Sequence, residues 1–151
     1  APAGGVLVVG VESLLTTLAR CCRPAPPDPI GGYVTRGKGV AVHRTDCSNF
    51  RQLAGRSPER IIPVAWGRHA VADNAHYAVD VLVEGHDRGG LLRDVCDVLA
   101  QAKIPVQSIH SETARDRITV TLTLQTTDTT RLAPVLSKVL QISGVTKARR
   151  R

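Results

Sequence analysis

The chain has 151 residues, of which 42% are hydrophobic and 22% charged, with a net charge of +7. This composition is typical of a folded globular protein and excludes a disordered chain, and the lack of any run of about 18 apolar residues argues against a membrane span. The length suits one ordinary domain or two small ones, and with only 3% aromatic residues their cores must be built from aliphatic side chains.

The positive charge is spread along the whole chain. Residues 1–74 carry nine basic and five acidic residues, and residues 75–151 carry eleven and eight. Such a field favours a polyanionic partner, and a solubilising surface explains it equally well. Four irregularly spaced cysteines and no signal peptide predict reduced thiols in the cytoplasm. Because the chain has no methionine, we interpret it as a piece of a longer protein.

The first predicted domain, residues 1–74, opens with a strand from Val6 to Val9. The helical spacing of its leucines predicts a helix from Val11 to Arg20, which ends at Cys21-Cys22 because the following prolines cannot continue it.

Two β runs follow, Ile30–Thr35 and Val40–His43, and the glycines of the 36–39 segment between them predict a hairpin. Asp46 is a candidate cap for a helix that extends to about Leu53. A closing strand, Ile61–Trp66, contains Pro63, which places it at an edge or a bulge.

The second predicted domain, residues 75–151, has clearer periodicity. Alternation from Tyr77 predicts a strand, Asp87 is a candidate cap, and apolar residues from Leu91 to Ala102 form a helical stripe. Further runs predict strands at 104–111, 118–124 and 145–149, and a helix after Asp128 that Gly144 ends. The order β-α-β-β-α-β predicts a ferredoxin-like α+β domain with both helices on one face of a four-stranded sheet.

The other face of that sheet carries Thr119, Thr121 and Thr123. Such a face often pairs with a second copy or a partner, and a solvated threonine face is an equal alternative.

The strongest candidate site is a set of soft metal ligands, namely Cys21, Cys22, His43 and Cys47. In the predicted fold all four converge at one end of the small domain, and Zn²⁺ accepts a tetrahedral set of Cys and His. Adjacent cysteines at a helix end point about 100° apart, however, which argues against both reaching one metal. Three buried thiols and a hydrogen-bonded histidine are the alternative.

A second candidate site is the glycine-containing loop between the first strand and helix of the second domain. Its backbone N–H groups suit a small anionic group at a helix N-terminus, and a plain tight turn is the alternative. The loop consists of Asp87, Arg88, Gly89, Gly90, Leu91 and Leu92. No catalytic arrangement of residues is recognisable, so we predict that this segment is not an enzyme.

Several of these motifs together carry a resemblance to a known family. They are Cys21-Cys22-Arg23-Pro24, Arg36-Gly37-Lys38-Gly39, His43-Arg44-Thr45-Asp46-Cys47, Val64-Ala65-Trp66-Gly67 and Asp87-Arg88-Gly89-Gly90-Leu91-Leu92. The first half resembles the zinc-finger or ribosome-intersubunit domain of the RelA/SpoT family, and the second half resembles that family's terminal ACT domain.

The resemblance implies a parent that makes (p)ppGpp from ATP and GTP or GDP, either as a synthetase alone or as a bifunctional enzyme that also hydrolyses it, with catalytic domains outside these residues. It implies that the segment docks on the ribosome beside deacylated tRNA and self-associates in some members, and a dimerisation module that inhibits the parent is an alternative function. We predict contacts with ribosomal RNA at Arg36, Lys38 and Arg44, the basic residues near the hairpin. The resemblance raises the expectation of zinc at the Cys/His set. For the 87–92 loop it implies an amino-acid effector, since ACT domains commonly bind one there.

Overall fold

A computed structural model describes residues 6–8, 15–37, 39–67, 70 and 75–151, with only the backbone for residues 6–8. It divides the chain into two compact units, Ala1–Tyr77 and Ala78–Arg151. Among the described residues, no helix is long and apolar enough to cross a bilayer. The α+β class predicted from the sequence is confirmed, since the described part of the chain contains three α-helices and three sheets.

The described residues of the first unit form six strands and one α-helix. They are β1 (Val6–Val8), β2 (Thr16–Leu18), β3 (Ile30–Thr35), β4 (Gly39–Arg44), α1 (Ser48–Arg56), β5 (Ile61–Ile62) and β6 (Val64–Trp66), with a short 3-10 helix at Pro58–Arg60. Four strands form one sheet in the order β2-β4-β3-β5, and β1 pairs with β6. Pro63 separates β5 from β6, so the predicted closing strand is interrupted there and its halves join different sheets.

The helix predicted from Val11 to Arg20 is wrong over its described part, because Thr16–Leu18 forms strand β2 and pairs in parallel with β4. Residues 11–14 lie outside the described residues. Thr16 is buried and Leu15 is 54% exposed, which reverses the burial that a leucine stripe predicts. Hydrogen bonds to β4 at both ends of β2, each of 2.8 Å, replace those of a helix.

The predicted hairpin between β3 and β4 is confirmed. Gly37 and Gly39 both have positive φ, at +70° and +89°. A Cβ at Gly39 would also collide with the carbonyl oxygen of Leu15. Glycine is therefore needed at this position for its conformation and for the close approach of the strand before it.

Helix α1 begins after Cys47, and the prediction that Asp46 caps it is wrong. The carboxylate of Asp46 instead pairs with Arg44, at 2.7 Å from Nη2. The Asp46 side chain therefore forms an ion pair with Arg44 and does not cap the helix.

The second unit has the predicted β-α-β-β-α-β order. Its elements are β7 (Tyr77–His86), α2 (Leu91–Gln101), β8 (Val106–Ala114), β9 (Arg117–Thr126), α3 (Leu132–Leu140) and β10 (Val145–Arg150), with a 3-10 turn at Thr129–Arg131. The sheet order is β10-β7-β9-β8, which is the ferredoxin-like arrangement. Alternate residues of β7 and β9 are buried with the apolar faces of both helices, and these form the core.

Of the two helix caps predicted in this unit, one is confirmed and one is wrong. Asp128 accepts a hydrogen bond from the Thr130 N–H at 2.9 Å, as a cap should. Asp87 does not cap α2, because Gly90, with φ +81°, is the residue that precedes the helix. On the open face of the sheet, Thr123 is buried and donates to Asp80 at 2.6 Å.

Candidate metal centre

A tight turn after β2 presents the two adjacent cysteines. The Arg23 N–H donates to the Ala19 carbonyl at 3.0 Å, and Arg23 takes a left-handed conformation with φ +44°. Cys21 is exposed and Cys22 is 8% exposed. The expected divergence of the two side chains assumed a helix, so it does not apply to this turn.

His43 and Cys47 come from the other side of the cluster. His43 lies near the end of β4, opposite Gly31 of β3, and is 7% exposed. Cys47 precedes α1, where its carbonyl accepts the Arg51 N–H at 3.0 Å. The hairpin and the helix start therefore hold an imidazole and a thiol against the turn.

The four ligand atoms all lie within 4.8 Å of one another. The Cys21 Sγ is 3.7 Å from the Cys47 Sγ and 3.4 Å from the His43 Nδ1, and the Cys22 Sγ is 3.8 Å from the same nitrogen. In a tetrahedral zinc site, bond lengths of about 2.3 Å to sulfur and 2.0–2.1 Å to nitrogen give S···S edges of about 3.8 Å and S···N edges of about 3.6 Å. The spacing of the side chains thus fits a tetrahedral metal ion.

The electrostatics of the cluster differ from thiol to thiol. Burial raises the pKa of Cys22 to about 12, against the lowering effect of the Arg44 N–H. Burial also acts to raise the pKa of Cys47, but the N–H of Phe50, the neighbouring thiols and the N–H of Asn49 together lower it. Burial lowers the pKa of His43, which keeps the imidazole neutral and able to bind a metal.

Residues around the cluster hold its ligands in place. The Phe50 ring packs against His43 with centroids 5.5 Å apart, and it occupies the space where a Cβ of Gly31 would lie. The Arg44 N–H donates to the Cys22 Sγ at 3.3 Å, while its guanidinium donates to the Cys22 carbonyl at 3.4 Å. Sequence reasoning missed this support, because it depends on a contact between residues 22 positions apart.

The residues predicted to contact RNA lie in different surroundings. Arg36 is exposed in the hairpin turn, and Lys38 lies outside the described residues. The Arg44 side chain is only 15% exposed, and it makes two hydrogen bonds to Asp46 at 2.7 and 3.0 Å. Helix α1 adds two exposed arginines, Arg51 and Arg56, which were not among the predicted RNA contacts. The lack of any acidic residue in this helix is the sequence signal that could have identified them.

The predicted effector loop is organised by Arg88. Its guanidinium donates to the Ser143 carbonyl at 2.7 Å, to the Gly89 carbonyl at 3.0 Å and to the Asp94 carboxylate at 2.8 Å. Leu91 is buried in the core, and Leu92 is half-buried. Arg88 therefore ties the loop to the residues that follow α3.

Comparisons with known proteins account for both units. The RelA/SpoT RIS domain family matches residues 6–67, and an ACT domain family matches residues 73–150. A GTP pyrophosphokinase of Escherichia coli K12 is 39% identical over 149 residues, covering 97% of this chain and 20% of the relative. A GTP pyrophosphokinase of Streptomyces coelicolor is 44% identical over 142 residues, covering 93% of this chain and 16% of the relative.

The chain spans about a fifth of the length of these relatives. This chain is also similar to the crystal structure of the ACT domain from a Chlorobium tepidum GTP pyrophosphokinase. The match covers 50% of this chain and 99% of that structure, with a TM-score of 0.46 and 17% sequence identity. The two domain families follow one another along the chain in the order that the motifs predicted. The chain belongs to the RelA/SpoT family and carries its RIS and ACT domains in succession.

Proposed function

We propose that this chain is the regulatory C-terminal segment of a GTP pyrophosphokinase. In this proposal it senses the ribosome and deacylated tRNA, and it controls (p)ppGpp synthesis by catalytic domains elsewhere in a cytoplasmic parent chain. The observation that carries the proposal is the alignment of 97% of the chain, through both domains, with a GTP pyrophosphokinase. Recognition, not turnover, is then the task of these residues.

The proposal includes a structural zinc ion at Cys21, Cys22, His43 and Cys47. The fit of the four ligand atoms to a tetrahedral site supports it. Bound zinc would supply a cross-link between the turn, the end of β4 and the start of α1. Metal analysis of the purified chain tests this part of the proposal. We expect one equivalent of zinc, and a chain without zinc would contradict the site.

The ribosome-binding surface is proposed to lie on the first unit. Arg36 is exposed in the hairpin turn, and Arg51 and Arg56 are exposed on α1. Arginine suits phosphate because its planar fork donates two hydrogen bonds at once. Arg44 contributes by holding Cys22 in place, and its ion pair with Asp46 leaves it a smaller part in phosphate binding.

Co-sedimentation with ribosomes, with and without deacylated tRNA, tests this surface. Loss of one phosphate contact should reduce the slope of log K against log salt by about 0.7–0.9. We expect this for Arg36→Ala but not for Arg93→Ala, a matched control whose side chain is 79% exposed on the second unit. Equal effects of the two variants would contradict the surface, and no binding by the native chain would contradict the proposed function.

An amino-acid effector at the 87–92 loop is a second candidate function. The contacts of Arg88 with Gly89, Asp94 and Ser143 give this loop a fixed shape in which a small carboxylate would compete with Asp94 for the guanidinium. Calorimetric titration with the twenty amino acids should find one that binds the native chain and not Arg88→Ala. A flat response to all of them would leave the ACT domain as a scaffold.

Self-association is a third candidate, favoured by strand β8. It lies at one edge of the sheet, and residues 107–114 are all exposed, with Ile109 at 43%. An exposed edge strand offers unpaired backbone groups to a second copy. Sedimentation across a concentration series should show a dimer that Ile109→Pro weakens, and a monomer at every concentration would contradict it.

A further inference from the structure

The thiols of the candidate metal centre differ in their access to solvent, and this difference suggests a second chemistry. We propose that Cys21 and Cys47 are a dithiol that hydrogen peroxide oxidises to a disulfide, and that this modification opens the metal centre. The opening of the centre rests on the zinc site of the proposed function, whereas the dithiol itself rests only on the positions of the two residues.

The two sulfur atoms are close enough to join after a small movement. They lie 3.7 Å apart, and a disulfide needs about 2.05 Å. The Cys21 side chain is exposed, unlike that of Cys22 beside it, so it can move without leaving a packed core. Cys47 is separated from it by 26 residues and is held by the start of α1, which makes it a fixed partner.

Other pairings are less favourable. Cys21 and Cys22 are adjacent, and their Cα atoms, about 3.8 Å apart, are closer than the 4.4–6.8 Å that disulfides use. Cys22 and Cys47 are both buried, at 8% and 9% exposed, so neither is open to the oxidant first. Cys96 belongs to the second unit. Only Cys21 combines exposure with a near, non-adjacent thiol.

The chemistry needs peroxide alone. The Cys21 sulfur attacks one peroxide oxygen, the O–O bond breaks, and a sulfenic acid and one water result. The Cys47 sulfur then attacks the sulfenic sulfur, the S–O bond breaks, and the disulfide and a second water form. Two electrons pass from the two sulfurs to peroxide, and the two thiol protons, or two solvent protons when zinc holds the thiolates, end in the waters.

Oxidation removes half of the metal ligands. A disulfide sulfur is not a thiolate, so Cys22 and His43 alone would remain, and structural zinc sites require four ligands. We therefore expect one zinc ion to leave for each disulfide formed.

The test compares two neighbouring cysteines of the whole chain in a Cys96→Ser background. Peroxide is added to the zinc-loaded Cys96→Ser chain, in which the cluster is intact. Zinc release is followed with a chromogenic chelator, and peptide mapping by mass spectrometry assigns the disulfide. The two cluster variants, which lack one of the four ligands, are treated in the same way without metal. Cys22→Ser should still form the Cys21–Cys47 disulfide. In Cys21→Ser the remaining thiols, Cys22 and Cys47, are both buried, and their rate of oxidation should be lower by roughly tenfold or more. Mapping of the unaltered chain assigns the pair even where a variant fails to fold.

The outcomes separate the two claims. Reduced Cys21 and Cys47 in folded, peroxide-treated protein would overturn the inference, as would a disulfide that forms while zinc stays bound. A chain that binds no zinc but forms this disulfide would contradict the metal site of the proposed function and support the dithiol.

Discussion

When Cys22 is replaced by serine, the chain should release one proton fewer for each zinc ion that it binds. Burial raises the pKa of this thiol to about 12, so without metal it is fully protonated at every pH near neutrality. Zinc binds the thiolate, and Cys22 must therefore give up a whole proton when it becomes a ligand. His43 gives up none, because burial has lowered its pKa and left the imidazole neutral.

The size of the effect follows from the proton count. Each proton released makes zinc affinity rise tenfold per pH unit, or about 1.4 kcal/mol. For Cys22 this contribution should stay constant from pH 6.5 to 8, since its pKa is far above that range. The contribution of Cys47 should instead shrink towards high pH, because its pKa is lowered.

Calorimetry in buffers with different ionisation enthalpies counts the protons directly. We expect Cys22→Ser to release one proton fewer per zinc than the native chain, and Cys96→Ser, outside the cluster, to release the same number. Should the serine variant bind too weakly, the native chain alone must still gain at least tenfold in affinity per pH unit. Native-like affinity and proton count in Cys22→Ser would refute the assignment of this residue as a ligand.

Three further predictions concern stability. Gly31→Ala should destabilise the first unit by about 1–3 kcal/mol in urea unfolding, because the new Cβ overlaps the Phe50 ring. Gly55→Ala in α1 has open space around it and should be neutral or stabilising. Equal effects of the two variants would refute the contact between Gly31 and Phe50. Burial lowers the pKa of His43, so the unfolded chain binds a proton at a higher pH than the folded chain does. The metal-free protein should therefore lose stability as the pH falls below about 6.5. His43→Gln should lose less stability over the same range, and an identical pH profile for the two proteins would contradict this. Leu122→Ala should cost about 2–5 kcal/mol in the second unit, since the side chain is fully buried, and a loss near zero by denaturant titration would contradict the assigned core.

The second unit shows which patterns a sequence reveals well. In β9, alternate residues from Ile118 to Leu124 are buried, so the period of two survives in the sequence. The turn before it uses Arg115 and Asp116 with positive φ, at +53° and +64°. The alternation in β9 is a short-range feature that local rules predict, whereas positive φ at an arginine is uncommon.

The first unit shows where local rules fail. The leucine spacing before Cys21 predicts a helix, but residues 16–18 gain more from pairing with β4, more than 20 positions away. The predicted divergence of the two adjacent cysteines rests on the same helix geometry, so it does not apply to the turn that follows β2. The set of ligands was identified from residue type and spacing, while their convergence depends on a turn with Arg23 in a left-handed conformation.

The metal ligands of the first unit are also part of its core. Cys22 and Cys47 pack with Phe50 in one buried cluster, and Val40, Val42 and Val64 form a separate one. A bound metal or another cross-link commonly adds to the stability of a small domain. A ligand set that doubles as a core cluster couples metal binding to folding, so changes at the cysteines should reach the hairpin through the hydrogen bond from the Arg44 N–H to the Cys22 sulfur. By this reasoning the exposed basic turn at Arg36, at the far end of the same hairpin, depends on the state of the thiols for its position.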